Sequence, residues 1–257
     1  MCELFGASSQ EPVPVNRLLR EFFSHSTEHP NGWGIAVFYE NAVSMEKEPL
    51  PAYRSAYLKE RLRHMPAVRN MIAHIRKASV GELCYENCHP FVQRDHSDRA
   101  WTLAHNGTIF DCPVLEPYVR TQEGSTDNER ILCHLIARIN AAQTAVGRAL
   151  NADERFRVVD RLVCEITPHN KVNLLIYDGE LFYVHTNYAN SLYIRKAKGS
   201  ALFATVPLEP DGWRPMAFTT LYAYQGGSER FRGTCHGNEY LDNPEDTKFL
   251  YTDFANL

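Results

Sequence analysis

Strand-length apolar runs recur in both halves of this chain, and the helical patterns lie grouped between them instead of following each strand in turn. Strict βαβ alternation would demand a parallel, doubly wound sheet. Its absence favours an α+β fold with mainly antiparallel sheets. Cys2–Ala7, Ile35–Tyr39, Arg69–Arg76 and Trp101–His105 read as strands, and the last two each run into a polar cluster. Val172–Tyr177 and Glu180–His185 flank Asp178-Gly179, the composition of a hairpin with a two-residue turn. Later strands are expected around Ala201–Val206 and Thr219–Tyr224. Pro14 opens a helix whose stripe is Val15, Leu18, Leu19, Phe22 and Phe23. Another spans Tyr53 to Met65 and is stopped by Pro66. Thr126 and Glu129 have capping-box spacing ahead of the face Ile131, Leu132, Leu135, Ile136 and Ile139. Ala152–Glu165 is a further helix, with Phe156, Val159 and Val163 inward.

At 257 residues, with no repeat, linker or composition break, the chain is expected to form a single domain over residues 2–257. A chain this long buries roughly three quarters of its unfolded surface, so its core needs no staple. The net charge is −4 and the basic residues are scattered, which argues against a nucleic-acid footprint. No apolar run reaches the length of a membrane span, and the opening MCELFGASSQEPVP lacks the basic and apolar regions of a signal peptide. A cytoplasmic protein without membrane partners is therefore expected. Its seven cysteines, odd in number and irregularly spaced, read as free thiols.

Four places can carry chemistry. Cys2 becomes N-terminal once methionine aminopeptidase removes Met1, and the α-amine then lies within reach of its own thiol. Their ordinary pKa values are about 8 and 8.5, so near neutral pH the amine can take the thiol proton. Retention of Met1 would turn that amine into an amide and abolish the base. In His74-Ile75-Arg76-Lys77-Ala78-Ser79-Val80-Gly81, the Arg76 fork can bind an amino-acid carboxylate, with the Ser79 hydroxyl adding a bond. In His105-Asn106-Gly107, the Asn106 amide and the Gly107 N–H suit a developing oxyanion. Asp127 can hold a substrate ammonium. Each place also has a plainer reading: an accidental Met-Cys start, a surface arginine, an Asn-Gly turn, an acid complementing a helix dipole. Cys84, Cys88 and His89 suggest zinc, but no second ligand pair follows at finger-like spacing and no metal is expected.

The order of these segments says more than any one of them. An N-terminal Cys, H-x-R-x-A-[ST]-x-G, N-x-H-P, H-N-G and T-D-x-E opening a helix together resemble the class II glutamine amidotransferases, over most of residues 2–140. Cys2-Glu3-Leu4, Asn31-Gly32-Trp33-Gly34-Ile35 and His89-Pro90-Phe91 are most similar to the stand-alone YafJ-type subfamily, which has no synthase domain. The run Leu-Phe-Ala-Thr-Val-Pro-Leu ending at Leu208 is also similar, though less diagnostic.

The resemblance implies a four-layer αββα N-terminal-nucleophile hydrolase sandwich with two mainly antiparallel sheets. It implies Cys2 as nucleophile and its amine as base, Arg76 and Ser79 on the substrate α-carboxylate, Asn106 and Gly107 as oxyanion hole, and Asp127 on the α-ammonium. His89 matches a structural histidine near the pocket. No cofactor is required. Relatives that feed an attached synthase usually have Trp after the Arg and His before the Gly; Lys77 and Val80 stand there in this chain. Amide hydrolysis is therefore expected, and channelling of ammonia is not. Three functions remain open on these residues: a glutaminase supplying ammonia to a separate protein, a hydrolase of another γ-glutamyl amide or peptide, and a catalytically silent binder of γ-glutamyl ligands or of a partner.

Overall fold

A computed structural model describes residues 2–40, 42–78 and 81–243. Met1 and Ser79 therefore lie outside the described residues, as does most of the polar C-terminal stretch. The strands are β1 (Glu3–Val13), β2 (Trp33–Tyr39), β3 (Ala42–Glu48), β4 (Val68–Ile75), β5 (Phe91–Arg94), β6 (Ala100–Thr108), β7 (Lys171–Tyr177), β8 (Phe182–Thr186), β9 (Tyr193–Ala197), β10 (Ser200–Ala204), β11 (Trp213–Pro215), β12 (Thr220–Gln225) and β13 (Ser228–Cys235). The helices are α1 (Asn16–Ser24), α2 (Ala56–Arg63), α3 (Asp127–Val146) and α4 (Ala152–Ile166). None of the described helices is long and apolar enough to cross a membrane.

One sheet runs β11-β9-β10-β1-β4-β2-β3 and the other β13-β12-β8-β7-β6-β5, with antiparallel pairing throughout. Period-two alternation sorts the side chains into three cores. Phe5, Ala7, Ile35 and Ala73 pack under Leu18, Leu19, Phe22 and Phe23 of α1 and Leu58 and Leu62 of α2. Trp101, Leu103, Leu174 and Ile176 pack under Ile131, Leu135, Phe156 and Val159 of α3 and α4. Leu4, Ile72, Ala104, Leu175 and Phe203 meet between the sheets. The result is the expected four-layer αββα sandwich, each sheet burying both faces.

Three local expectations are corrected. The helix foreseen over Tyr53 to Met65 divides into a 3₁₀ turn, Ala52–Arg54, and α2, because Ser55 stops the first and caps the second by accepting from Leu58 N at 2.9 Å. The hairpin at Asp178-Gly179 has a four-residue connection, since Tyr177 pairs with Phe182. Asp178 is the cause: its carboxylate accepts from the amides of Glu180 and Leu181 at 2.9 and 2.7 Å, and takes Arg155 Nε at 2.7 Å and the Tyr183 hydroxyl at 2.8 Å. The capping box at Thr126 does not form. Glu129 turns away to accept from the amides of Glu123 and Gly124, both at 2.8 Å, and the Thr126 hydroxyl makes no cap bond. The reciprocal box stands instead on Asn151 and Glu154 at the start of α4. Strands β3, β5, β9, β11 and β13 escaped the sequence reading. They are short or lie at or near sheet edges, where half-exposed, charged sequences such as Ala42–Glu48 and Ser228–Cys235 carry little apolar signal.

One contact ties the fold to the motifs. A Cβ on Gly34, in the middle of β2, would lie 2.0 Å from the His89 carbonyl oxygen, so the segment entering β5 rests directly on bare backbone. Gly34→Ala must push that segment off the sheet. We expect a loss of about 1–3 kcal/mol, the usual cost of overpacking, measured as a lower urea midpoint at unchanged slope.

Candidate active site

The register of β1 on β4 pairs Glu3 with Ile75, which sets Cys2 beside Arg76 and Lys77. The Cys2 sulfur accepts from Lys77 N–H at 3.4 Å and faces Lys77 O at 3.5 Å. It shares its strand face with Leu4, so the thiol points into the space between the sheets. Burial pushes the Cys2 thiol up. The Lys77 N–H and the Arg76 guanidinium oppose that rise, and the Asp127 carboxylate adds to it. A thiol held neutral in this way keeps its proton until a base takes it.

Arg76 is not a surface arginine: it is 2% exposed. Its guanidinium donates to Glu82 O at 2.9 Å and Gly81 O at 3.1 Å, wrapping the following loop around itself. Asn31 holds the other side of the segment by accepting from Ala78 N at 2.9 Å. Asn87 then joins this loop to the start of α3. It donates to Glu82 O and to Ser125 Oγ, both at 2.9 Å, and accepts from Ser125 N at 2.7 Å. Neither Asn31 nor Asn87 was given a role from sequence, although both sit in the quoted runs N-G-W-G-I and N-x-H-P. An asparagine near a glycine or proline more often marks a turn, and only the fold shows what each one clamps.

Asn106 and Gly107 lie inside β6, not in a turn, with Asn106 opposite Asn173 and Gly107 opposite Val172. A Cβ on Gly107 would meet Lys171 O at 1.8 Å, so the close approach of β7 requires glycine there. β5 pairs with β6 only from Ala100 to Leu103, leaving the other edge of Ala104–Thr108 without a strand partner. Asn106 shares the inter-sheet face with Ala104, is buried, and its Oδ1 has no hydrogen-bond partner among the described residues. A half-turn of the amide exchanges oxygen for NH₂, so a donor can stand at that place. Asp127, in the first turn of α3, accepts from Ile109 N at 3.0 Å just beyond the end of β6. Its carboxylate is thus held near the thiol and also complements the helix dipole.

Behind these groups lie three buried histidines. The His74 and His89 rings lie 4.2 Å apart between centroids, tilted by 38°, and none of their four ring nitrogens has a hydrogen-bond partner among the described residues. His105 links β6 to its surroundings through Asn128 Oδ1 and, at 3.1 Å, Lys171 O. Burial, with Arg76 nearby, pulls His74 down to about 3, and burial also pulls His89 well below its ordinary value. The thiol of Cys88 is turned to backbone, donating towards Cys84 O at 3.4 Å and Glu48 O at 3.5 Å. All seven cysteines are free.

A cysteine at a strand end, with an arginine and an aspartate close enough to act on its thiol and an asparagine on the inter-sheet face of β6, thus stands in an αββα sandwich, the N-terminal-nucleophile hydrolase fold. Residues 1–199 match the model of the class II glutamine amidotransferases, and the chain belongs to that family. It is 33% identical over 214 residues to a protein of Methanocaldococcus jannaschii, covering 83% of this chain and 58% of that one. It is 30% identical to YafJ of Escherichia coli, assigned by name to the glutamine amidotransferases, over 73% of this chain and 74% of that one. Among solved structures, a predicted glutamine amidotransferase from Pseudomonas aeruginosa superposes with a TM-score of 0.62 at 22% identity, covering 89% of this chain and 99% of that one. The glutamine phosphoribosylpyrophosphate amidotransferase of Bacillus subtilis superposes with a TM-score of 0.67 at 17% identity, covering 91% of this chain and 49% of that one. At such identities the structures report the fold.

The buried histidines set an acid limit on stability. The rings of His74 and His185 are both held down at about 3, whereas an unfolded histidine titrates near 6.5. Between those values the unfolded chain binds more protons than the folded one, so stability is complete above pH 6.5 and falls as pH drops. The expected slope is about 1.4 kcal/mol per pH unit for each such ring. Urea unfolding from pH 7 to pH 4 measures it, and His74→Leu should remove one ring's share of the slope.

Proposed function

We propose that the chain hydrolyses a glutamine-type γ-amide through a γ-glutamyl thioester on Cys2. The observation that carries this reading is the Cys2 thiol set beside Arg76 and within the influence of Asp127, with Asn106 facing the same inter-sheet space, on a chain of this family.

With Met1 removed, the Cys2 α-amine takes the thiol proton and the sulfur attacks the γ-carbonyl carbon. The Lys77 N–H steadies the thiolate. The carbonyl oxygen becomes an oxyanion bonded by the Asn106 NH₂ and the Gly107 N–H. When the tetrahedral species collapses, the carbon–nitrogen bond breaks and the α-ammonium gives its proton to the departing ammonia or amine. A water, deprotonated by the same amine, then attacks the thioester. Glutamate leaves, and the sulfur recovers its proton. Arg76, with Ser79, holds the substrate α-carboxylate, and Asp127 holds its α-ammonium. That fixes the γ-carbonyl carbon over the sulfur and supplies the orientation that makes the attack effectively unimolecular. Ammonia released here is available to a separate accepting protein.

A glutamine-mimicking diazoketone should alkylate Cys2 in the processed protein, glutamine should protect it, and Cys2→Ser should stay unlabelled. Mass mapping of the N-terminal peptide reads all three outcomes, and a processed protein that stays unlabelled would overturn the proposal. Asn106→Ala should lower turnover on the order of 10²–10³-fold, the typical loss when one oxyanion donor is removed. Unimpaired turnover would take Asn106 out of the oxyanion hole.

A further inference from the structure

The leaving-group side of the site has its own charged residue. Lys171 begins β7 and shares the inter-sheet face with Leu175 and Tyr177. It is 2% exposed, and its ammonium is buried with no hydrogen-bond partner among the described residues. The Nζ lies 3.4 Å from the centroid of the Tyr188 ring and 5.4 Å from that of Tyr240. One carboxylate approaches it, that of Asp242 at 3.9 Å, too far for a hydrogen bond. Asp242 is itself 61% exposed and is bonded to the Tyr188 hydroxyl. Burial draws the Lys171 pKa down to about 8, and the Asp242 carboxylate only partly opposes this. A buried cation in this condition is costly unless a closer anion completes it.

The register says where that anion would sit. Asn106 lies opposite Asn173 and Thr108 opposite Lys171, so Lys171 is the diagonal neighbour of Asn106 on the same face. Diagonal neighbours are about 7–8 Å apart, within reach of a long side chain. Asp127 opens α3, which packs over β5 and β6, and Arg76 follows β4 in the facing sheet. A glutamate half bound by those two residues, with its γ-carbonyl at Asn106, would present its γ-substituent to the adjoining strand β7. There it meets Lys171 and the network of Asn173, Thr186 and Ser191, in which Thr186 donates to Asn173 Oδ1 at 2.6 Å and Asn173 donates to Ser191 Oγ at 3.0 Å.

We infer that Lys171, backed by Tyr188 and Tyr240, binds a carboxylate on the leaving amine, so that the substrates are γ-glutamyl amino acids or peptides in preference to glutamine. The anion that approaches the ammonium is already a carboxylate, and a substrate carboxylate takes the place of Asp242. The inference rests on the γ-glutamyl thioester reading of Cys2.

The test compares kcat/KM for γ-glutamylglycine, γ-glutamylglycinamide and glutamine, the first two differing only in whether the leaving amine carries a charge. The wild type should prefer γ-glutamylglycine over its amide by about tenfold or more, as one charge-assisted hydrogen bond provides. Lys171→Met, which keeps the apolar stem, should bring the two dipeptides to parity, and Lys171→Arg should restore most of the preference. Parity in the wild type, or an undiminished preference in Lys171→Met, overturns the inference, as does a wild type that turns over glutamine alone. Diazoketone labelling of Cys2, run on the same preparations, separates the two levels. Labelling without discrimination refutes only the role of Lys171. No labelling and no turnover of any of the three refutes the Cys2 reading and this one with it.

Discussion

The pairing of β1 against β4 is the constraint on which the remaining geometry depends. Both are interior strands, and β1 also pairs with β10, so its first residues are held by a ladder on either side. The first residues of a chain would ordinarily fray. Here the ladder runs to Glu3, and the next amide in reach, that of Lys77, bonds the Cys2 sulfur. A one-residue slip would send the thiol to the helix-covered face and Glu3 into the space between the sheets. The adjoining Arg76 segment is held as firmly, by the pairings of β4 with β1 and β2 and by the backbone bond from Arg76 N to Gly32 O at 2.8 Å.

Around that pairing the site is assembled by asparagines and close backbone contacts. Asn31 pins the segment after Arg76, and Asn87 fastens the next turn of chain to the residue two before Asp127. Gly34 admits the His89 backbone and Gly107 admits that of Lys171. Each removes space that a water would otherwise fill, and the electrostatic influence of neighbouring charges is larger in the drier interior that results. In that interior the ring nitrogens of His74 and His89 and the Lys171 ammonium have no hydrogen-bond partner among the described residues.

The main elements were legible because their signals are local. The α1 stripe, the β2 and β7 apolar runs and the face of α3 each advertise burial within a dozen residues. Edge strands did not, for β3 is half-exposed and rich in Glu and Lys. Two local rules also gave way to tertiary partners: Asp178 was drawn into a buried pairing with Arg155, and Glu129 into capping the chain that precedes α3. In both, a carboxylate found stronger donors than the turn or cap that its spacing suggested.

The sequence by itself determined the fold class, the family and the set of residues with the right chemistry, because those depend on residue type, period and order along the chain. It could not decide what any of them touches. Whether Asn106 sits in a turn or a strand, what Asn31 and Asn87 clamp, and that Lys171 lies diagonal to Asn106 all depend on pairings between segments up to 75 residues apart, as Cys2 and Lys77 are. Sheet register, set by the burial of both faces of two packed sheets, decided these, and that is a property of the whole sandwich and of no single segment.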